Sequence, residues 1–168
     1  HITQAKTFSE IETANAAGKI AAVLCVEGGI AINEDLNKLI SLYKLGARYM
    51  TITWNNSISW ATSAQDVQSS TKGLSEFGKQ VIRTMDSLGM IIDISHTGIK
   101  TIEDILTVTK NPIIASHSGA RALRNHYRNL TDDQIKAIAS TGGLVGAVFY
   151  PPFVRKESPT LEHILNHI

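Results

Sequence analysis

The feature that most constrains the fold is a regular alternation of short apolar runs with helix-like segments. The runs are continuous rather than alternating in polarity, as in strands that are buried on both faces. They lie at residues 20–26, 47–53, 90–94, 112–116 and 144–150. Strands that alternate with helices form parallel sheets covered by helices, because each crossover needs a long connection. The sequence therefore predicts an α/β fold, either a barrel or an open doubly wound sheet.

Capping residues and glycines mark the helix boundaries between the apolar runs. Thr7 with Glu10, and Thr131 with Gln134, have the spacing of capping boxes, and Asn33 is predicted to be an N-cap. Helices are predicted over residues 7–17, 34–45, 75–88, 99–106, 131–141 and 158–168. The polar stretch 54–73 is too long for a simple connector, so it is either a functional loop or a segment ordered by its neighbours.

Composition limits the classes of partner. The 168 residues are 43% hydrophobic and 18% charged, which is typical of a globular protein. The formal net charge of +1 gives no electrostatic reason to bind nucleic acid. No apolar run approaches the roughly 20 residues that cross a bilayer. The only cysteine, Cys25, lies in an apolar run, so we interpret it as a small buried hydrophobe rather than a nucleophile.

Polar side chains follow several apolar runs at the points where the strands end. Glu27 directly follows the first run, and His96 and His117 follow the third and fourth. The carboxyl ends of parallel strands meet at one edge of a sheet, so these side chains should lie close together. Imidazole nitrogen and carboxylate oxygen are common zinc ligands. A single histidine at a strand end more often makes a structural hydrogen bond, so position alone leaves both roles open.

Several longer stretches resemble one enzyme family. They are "CVEGG" (25–29), "LYKLGARYMTITWNN" (42–56), "KGLSEFGKQVIRTMDSLGMIIDISH" (72–96), "PIIASHSGAR" (112–121) and "YRNLTDDQIKAIASTGGLVGAVFY" (127–150). They resemble the zinc-dependent membrane (renal) dipeptidases in a bacterial-type version, over about residues 7–168. The resemblance implies a (β/α)8 TIM barrel, of which this chain holds about five βα units. We therefore expect residues 1–168 to form a single incomplete barrel domain, the middle of a longer enzyme.

The resemblance also implies a site. Glu27 matches the carboxylate that bridges two zinc ions, and His96 and His117 match the histidine ligands of one of them. Arg128 matches the arginine that receives the substrate carboxylate, a task that suits the guanidinium fork. The implied reaction is hydrolysis of a small dipeptide by a hydroxide that bridges two divalent metals and attacks the peptide carbonyl.

The chain departs from the family pattern at several positions. It contains no His-x-Asp motif, which supplies ligands to the second metal, and no SDFDG-like motif with the aspartate that handles a proton. Trp54 stands where some relatives have a histidine, and Ile30 replaces a polar residue beside the bridging acid. We therefore expect at most one metal site to be largely present, assign no catalytic residue, and expect the chain by itself to be inactive.

Two other functions stay open from the sequence. One is a related barrel hydrolase that cleaves other small amides or lactones, and the other is an inert fragment with a scaffold or binding role. Five strands cannot close an eight-stranded barrel. We therefore expect homo-oligomers, or association through exposed sheet edges. The resemblance fits exported and cytosolic proteins alike, so no compartment is predicted.

Overall fold

A computed structural model describes residues 1–168, and its main feature is a five-stranded parallel sheet. The strands are β1 (Ile2–Gln4), β2 (Ile20–Ala22), β3 (Leu24–Glu27), β4 (Ala47–Thr51), β5 (Ile91–Asp93), β6 (Ile113–Ser118) and β7 (Leu144–Ala147). Strands β3 to β7 pair in chain order, and every pair is parallel. Strands β1 and β2 form a separate parallel pair. A sheet in chain order is the arrangement of a barrel segment, since the strand order of a doubly wound sheet reverses.

Helices connect the successive strands of the sheet. They are α1 (Phe8–Ala16), α2 (Leu36–Leu45), α3 (Glu76–Leu88), α4 (Ile99–Val108), α5 (Asp132–Ser140), α6 (Pro151–Val154) and α7 (Leu161–Leu165), with a 3-10 helix at Gly29–Ile32. Each connection from β3 to β7 contains one of the helices α2 to α5, so the predicted α/β alternation is confirmed. None of these helices combines the length and the hydropathy that a bilayer crossing requires.

The hydrophobic core contains side chains from the sheet and from helices α2 to α5. Helix α3 buries Val81, Ile82 and Met85 along one face, and strand β5 contributes Ile92. Each such side chain contributes about 1.5–3 kcal/mol when it leaves water. This packing holds β4, β5 and β6 side by side and fixes the positions of the loops at their carboxyl ends.

Neighbouring residues order the polar stretch 54–73, which was one of the two interpretations that the sequence left open. Trp60 is only 2% exposed and packs edge-on against Phe77 of α3, with ring centroids 6.1 Å apart. Gly29 lies directly against the Trp60 ring, and a Cβ added there would be 2.4 Å from a ring carbon. The indole therefore anchors this loop beside the segment that follows Glu27.

The first predicted strand differs from the observed structure. Residues 20–26 are divided between β2, which pairs with the unpredicted β1, and β3, which begins at Leu24. Cys25 is exposed, so its interpretation as a buried residue is wrong. The reason is that β3 is an edge strand of the five-stranded sheet. An apolar run alone does not distinguish an edge strand from a central one.

Two of the three predicted helix caps are confirmed. Thr7 and Thr131 cap α1 and α5, and each forms the reciprocal capping box expected from the sequence. Asn33 is not the N-cap of α2. Asp35 has that role, because its side chain accepts a hydrogen bond of 2.8 Å from the Asn37 backbone N–H. Asn33 instead ends the preceding 3-10 helix in the left-handed region, at φ +44°.

Candidate metal centre

The carboxyl ends of β3, β5 and β6 bring Glu27, His96 and His117 together. The Nε2 atoms of the two histidines are 3.0 Å apart. Oε1 of Glu27 lies 3.4 Å from Nε2 of His96 and 3.6 Å from Nε2 of His117. Ligands with bonds of about 2.0–2.1 Å around a tetrahedral zinc ion are about 3.3 Å apart. The three donor atoms therefore have the spacing of one face of a zinc coordination tetrahedron.

His96 is held in the neutral form that binds metal. Burial first, and then the charges of Arg128 and His117, lower the pKa of His96 to about 3. Its Nδ1 lies 3.0 Å from the Asn55 side-chain oxygen, which as an acceptor requires the proton on Nδ1. Nε2 then has a free lone pair directed toward Glu27 and His117. The contact with Glu27 is thus not an ion pair.

His117 is also neutral, since burial and the charge of Arg128 lower its pKa. Its Nδ1 lies 2.8 Å from Oγ of Ser116. Two neutral imidazoles and one carboxylate therefore converge at this point. Their electron-rich atoms repel one another unless a cation lies between them.

The backbone of His96 adopts a left-handed conformation, at φ +66°. This region is uncommon for residues other than glycine and costs about 1–3 kcal/mol. Two hydrogen bonds to the His96 carbonyl hold it, one of 3.0 Å from the Thr53 hydroxyl and one of 2.7 Å from the Ala64 backbone N–H. The turn after β5 thus places the imidazole between Glu27 and Asn55.

Asp93 is a buried acid beneath this cluster that the sequence analysis missed. Its carboxylate accepts bonds from the Thr51 hydroxyl at 2.7 Å, the Ser116 hydroxyl at 2.5 Å and the backbone N–H groups of Ser95 and Ser116, both at 3.0 Å. Burial raises the pKa of Asp93, but these bonds outweigh burial and leave the pKa below its ordinary value. An aspartate inside the apolar run "IID" was the available signal, because a buried charge needs partners.

Arg128 lies apart from the three-residue cluster but borders a small cavity that His96 also lines. The residue is 5% exposed, and its guanidinium carbon lies 5.2 Å from the centre of the Phe153 ring. Burial lowers its pKa to about 10, so the group remains a cation at neutral pH. The guanidinium forms no ion pair with a carboxylate of this chain. A desolvated cation without a counter-ion is suited to bind an anionic group of a ligand.

Trp54 and Ile30, two of the positions at which the chain departs from the pattern of the family it resembles, lie beside the cluster. Trp54 is 52% exposed, and the centre of its ring system is 6.3 Å from the His96 ring centre. Trp54 and Ile30 line one pocket together with Gly28, the residue directly after Glu27. These side chains give the cluster a largely apolar rim on this side, and neither contains a titratable group that could act as a general acid or base.

Comparisons with known proteins agree on one family. The model of the membrane dipeptidase family (peptidase family M19) matches residues 1–168. An uncharacterized dipeptidase of Schizosaccharomyces pombe is 40% identical over 156 residues, which are 90% of this chain and 38% of that protein.

Two solved structures that resemble this chain are those of a metallo peptidase and a probable dipeptidase. A metallo peptidase from Rhodobacter sphaeroides, liganded with a phosphinate mimic of the dipeptide L-Ala-D-Ala, is 27% identical with a TM-score of 0.93 and matches 99% of this chain and 50% of its own. A probable dipeptidase from Pseudomonas aeruginosa is 29% identical with a TM-score of 0.90 and matches 94% of this chain and 41% of its own. The chain thus spans half the length of these relatives or less, and its sheet corresponds to part of their barrel, as predicted.

Proposed function

Because the chain belongs to the membrane dipeptidase family, peptidase family M19, we propose that it forms part of the site of a zinc-dependent dipeptidase. In this proposal Glu27, His96 and His117 bind zinc, and Arg128 receives the carboxylate of the dipeptide. The observation that supports it best is the convergence of three donor atoms within 4.8 Å of one another. Both imidazoles are neutral at neutral pH because their pKa values are lowered, so a metal would not have to compete with an imidazolium charge.

Two divalent ions bridged by Glu27 would supply Lewis acidity and, by lowering the pKa of bound water, a bridging hydroxide at neutral pH. Glu27 suits a bridging role because its side chain is 47% exposed and only Oε1 faces the histidines. The ligands of the second ion, and the acid that protonates the leaving amine, are not among the side chains of this cluster. We therefore propose that the chain alone does not turn over substrate.

Arg128 favours a dipeptide over the neutral amides and lactones that other barrel hydrolases cleave. Arg128 and His96 line the same small cavity, so a carboxylate paired with the guanidinium would hold the rest of the substrate near the cluster. Lactones and simple amides have no anionic group to pair with this buried cation. The arginine would fix the orientation of the substrate, while the metal-binding residues would act at the peptide carbonyl.

Zinc analysis tests this function in the longest natural polypeptide that contains these 168 residues. We expect zinc near stoichiometry in the wild type, and loss of zinc and of dipeptide hydrolysis in a His96→Ala/His117→Ala variant. His163→Ala is the matched control, because His163 lies in α7 with Thr160 and Arg155 as its partners. A double variant that keeps its zinc and its activity would disprove the proposal. Assays on N-acyl amino acids and lactones would distinguish the related hydrolases.

A further inference from the structure

We propose that Asp93 and Ser116 are positioning residues that fix the tautomer of His117 and thereby keep its Nε2 free for the metal. The inference rests on the proposed metal site and adds a directed chain of hydrogen bonds behind it. The chain runs from His117 through the Ser116 hydroxyl to the buried carboxylate of Asp93.

The direction of this chain follows from counting protons. Oγ of Ser116 lies 2.5 Å from Oδ2 of Asp93 and 2.8 Å from Nδ1 of His117. An ionised carboxylate only accepts hydrogen bonds, so the single hydroxyl proton of Ser116 is donated to Asp93. The Ser116 oxygen can then only accept from His117. The proton of the neutral imidazole therefore lies on Nδ1, and the lone pair lies on Nε2, which faces Glu27.

The surroundings of Asp93 keep the hydrogen bonds from His117 through Ser116 to Asp93 in this direction. Its other partners are the Thr51 hydroxyl and the backbone N–H groups of Ser95 and Ser116, and all of them donate. The side chain is fully buried, so no solvent molecule supplies a competing acceptor or donor. Ser95 also accepts a 3.0 Å bond from the His117 backbone N–H, which holds the residue that carries the ring.

His96 is held by a less restrictive partner. The Asn55 amide can turn and present either its oxygen or its nitrogen to Nδ1 of His96, whereas a carboxylate presents only acceptors. The two histidines of the cluster therefore differ in how firmly their tautomers are determined. Substitutions of Ser116 or Asp93 should therefore change the protonation of Nε2 of His117 more than a substitution of Asn55 changes that of His96.

An Asp93→Asn substitution reverses the direction of these hydrogen bonds, while the side chain keeps nearly the same shape. An amide nitrogen at the Oδ2 position would donate to Ser116, whose hydroxyl would then donate to Nδ1 of His117. The imidazole proton would move to Nε2, where it must be lost before a metal can bind. Partners behind metal-binding histidines typically contribute 10–100-fold to metal affinity. We expect the zinc affinity of Asp93→Asn to fall within that range.

Substitutions at Ser116 separate the hydrogen bond from its steric context. Threonine and valine have nearly the same shape, but only threonine keeps the hydroxyl. We expect Ser116→Val to weaken zinc binding and Ser116→Thr to retain it within about twofold, a small change beside the 10–100-fold expected for loss of the partner. Thr51→Val is the control for Asp93 itself, because it removes a donor to the same carboxylate without touching His117.

The experiment measures the tautomer and the zinc affinity separately, in the longest natural polypeptide that contains the chain. Nitrogen-15 NMR of the metal-free protein should show His117 protonated on Nδ1 in the wild type and on Nε2 in Asp93→Asn. Zinc competition with a chromophoric chelator gives the affinities, and circular dichroism checks folding. Folded Asp93→Asn and Ser116→Val proteins with the wild-type tautomer and wild-type zinc affinity would overturn the inference. A wild type with the Nδ1 proton that binds no zinc would overturn the proposed function instead.

Discussion

Arg128 has a positive charge that no carboxylate of the chain pairs with, and it is only 5% exposed. If it binds the substrate carboxylate, Arg128→Met should raise KM for dipeptides by about 100-fold, since losing a buried charged hydrogen bond costs about 2–5 kcal/mol. The value of kcat should change much less, because the residue holds a remote part of the substrate. Steady-state kinetics on dipeptides and on their C-terminal amides measure both. Equal losses for the two substrates would contradict the assignment.

His96 gives the metal-free protein a defined dependence of stability on pH. Its folded-state pKa is about 3, below the ordinary value of 6.5. Between these values the unfolded chain binds a proton that the folded protein does not. The contribution of His96 to the unfolding free energy is therefore complete above pH 6.5 and is lost as the pH falls toward 3.

Urea unfolding in the presence of a chelator checks this expectation. The free energy of unfolding should decrease between about pH 7 and pH 5, and it should decrease less in a His96→Gln variant. His163→Gln is the control, because that side chain lies outside the cluster in α7. The same pH dependence in all three proteins would show that His96 is not the group responsible.

At the residue scale, sequence position was informative where the side chain follows a strand end. Glu27, His96 and His117 lie together because the parallel strands β3, β5 and β6 end at one edge. Asp93 was not predicted, because its partners come from other strands and are distant in sequence. Whether a polar residue inside an apolar run is paired depends on neighbours that one stretch of sequence does not contain.

At the element scale, Gly146 of β7 has no room for a side chain beside β6. A Cβ added to Gly146 would be 2.2 Å from the Ser116 carbonyl oxygen. Gly146→Ala should therefore push the two strands apart and reduce the unfolding free energy by about 1–3 kcal/mol, the usual cost of overpacking. Zinc affinity should fall as well, because β6 contains both Ser116 and His117. Thermal unfolding and zinc competition test this, and a variant with wild-type stability would contradict it.

The element boundaries were predictable where local chemistry sets them. The capping boxes at Thr7 and Thr131 involve side chains three residues apart, so the sequence contains all the interacting groups. The division of residues 20–26 into β2 and β3 was not predictable, because it depends on pairing with β1 and β4. The order of the polar loop 54–73 depends on burial of Trp60 against α3, which is also a tertiary contact.

At the scale of the whole molecule, the five-stranded sheet has two edges, β3 and β7, whose outer sides have no partner strand. Large apolar side chains are exposed on these strands, with Leu24 47% and Leu144 60% exposed. We expect the isolated 168-residue polypeptide to self-associate through these edges, and Leu24→Lys/Leu144→Lys to reduce the association. Size-exclusion chromatography with light scattering measures the mass. A stable dilute wild-type monomer would contradict the prediction.

The donor atoms of the cluster come from the ends of β3, β5 and β6, which are distant in sequence but lie within four consecutive strands of the sheet. A slip of one residue in the pairing of β5 would turn Asp93 out of its position and put Ile92 or Ile94 there, because successive side chains face opposite sides of a strand. The cluster therefore forms only after the four strands β3 to β6 have paired in native register, a step that closes long loops. We therefore expect the protein to bind metal late in folding, after its strands have paired. The metal would then stabilise the completed fold and would not nucleate folding.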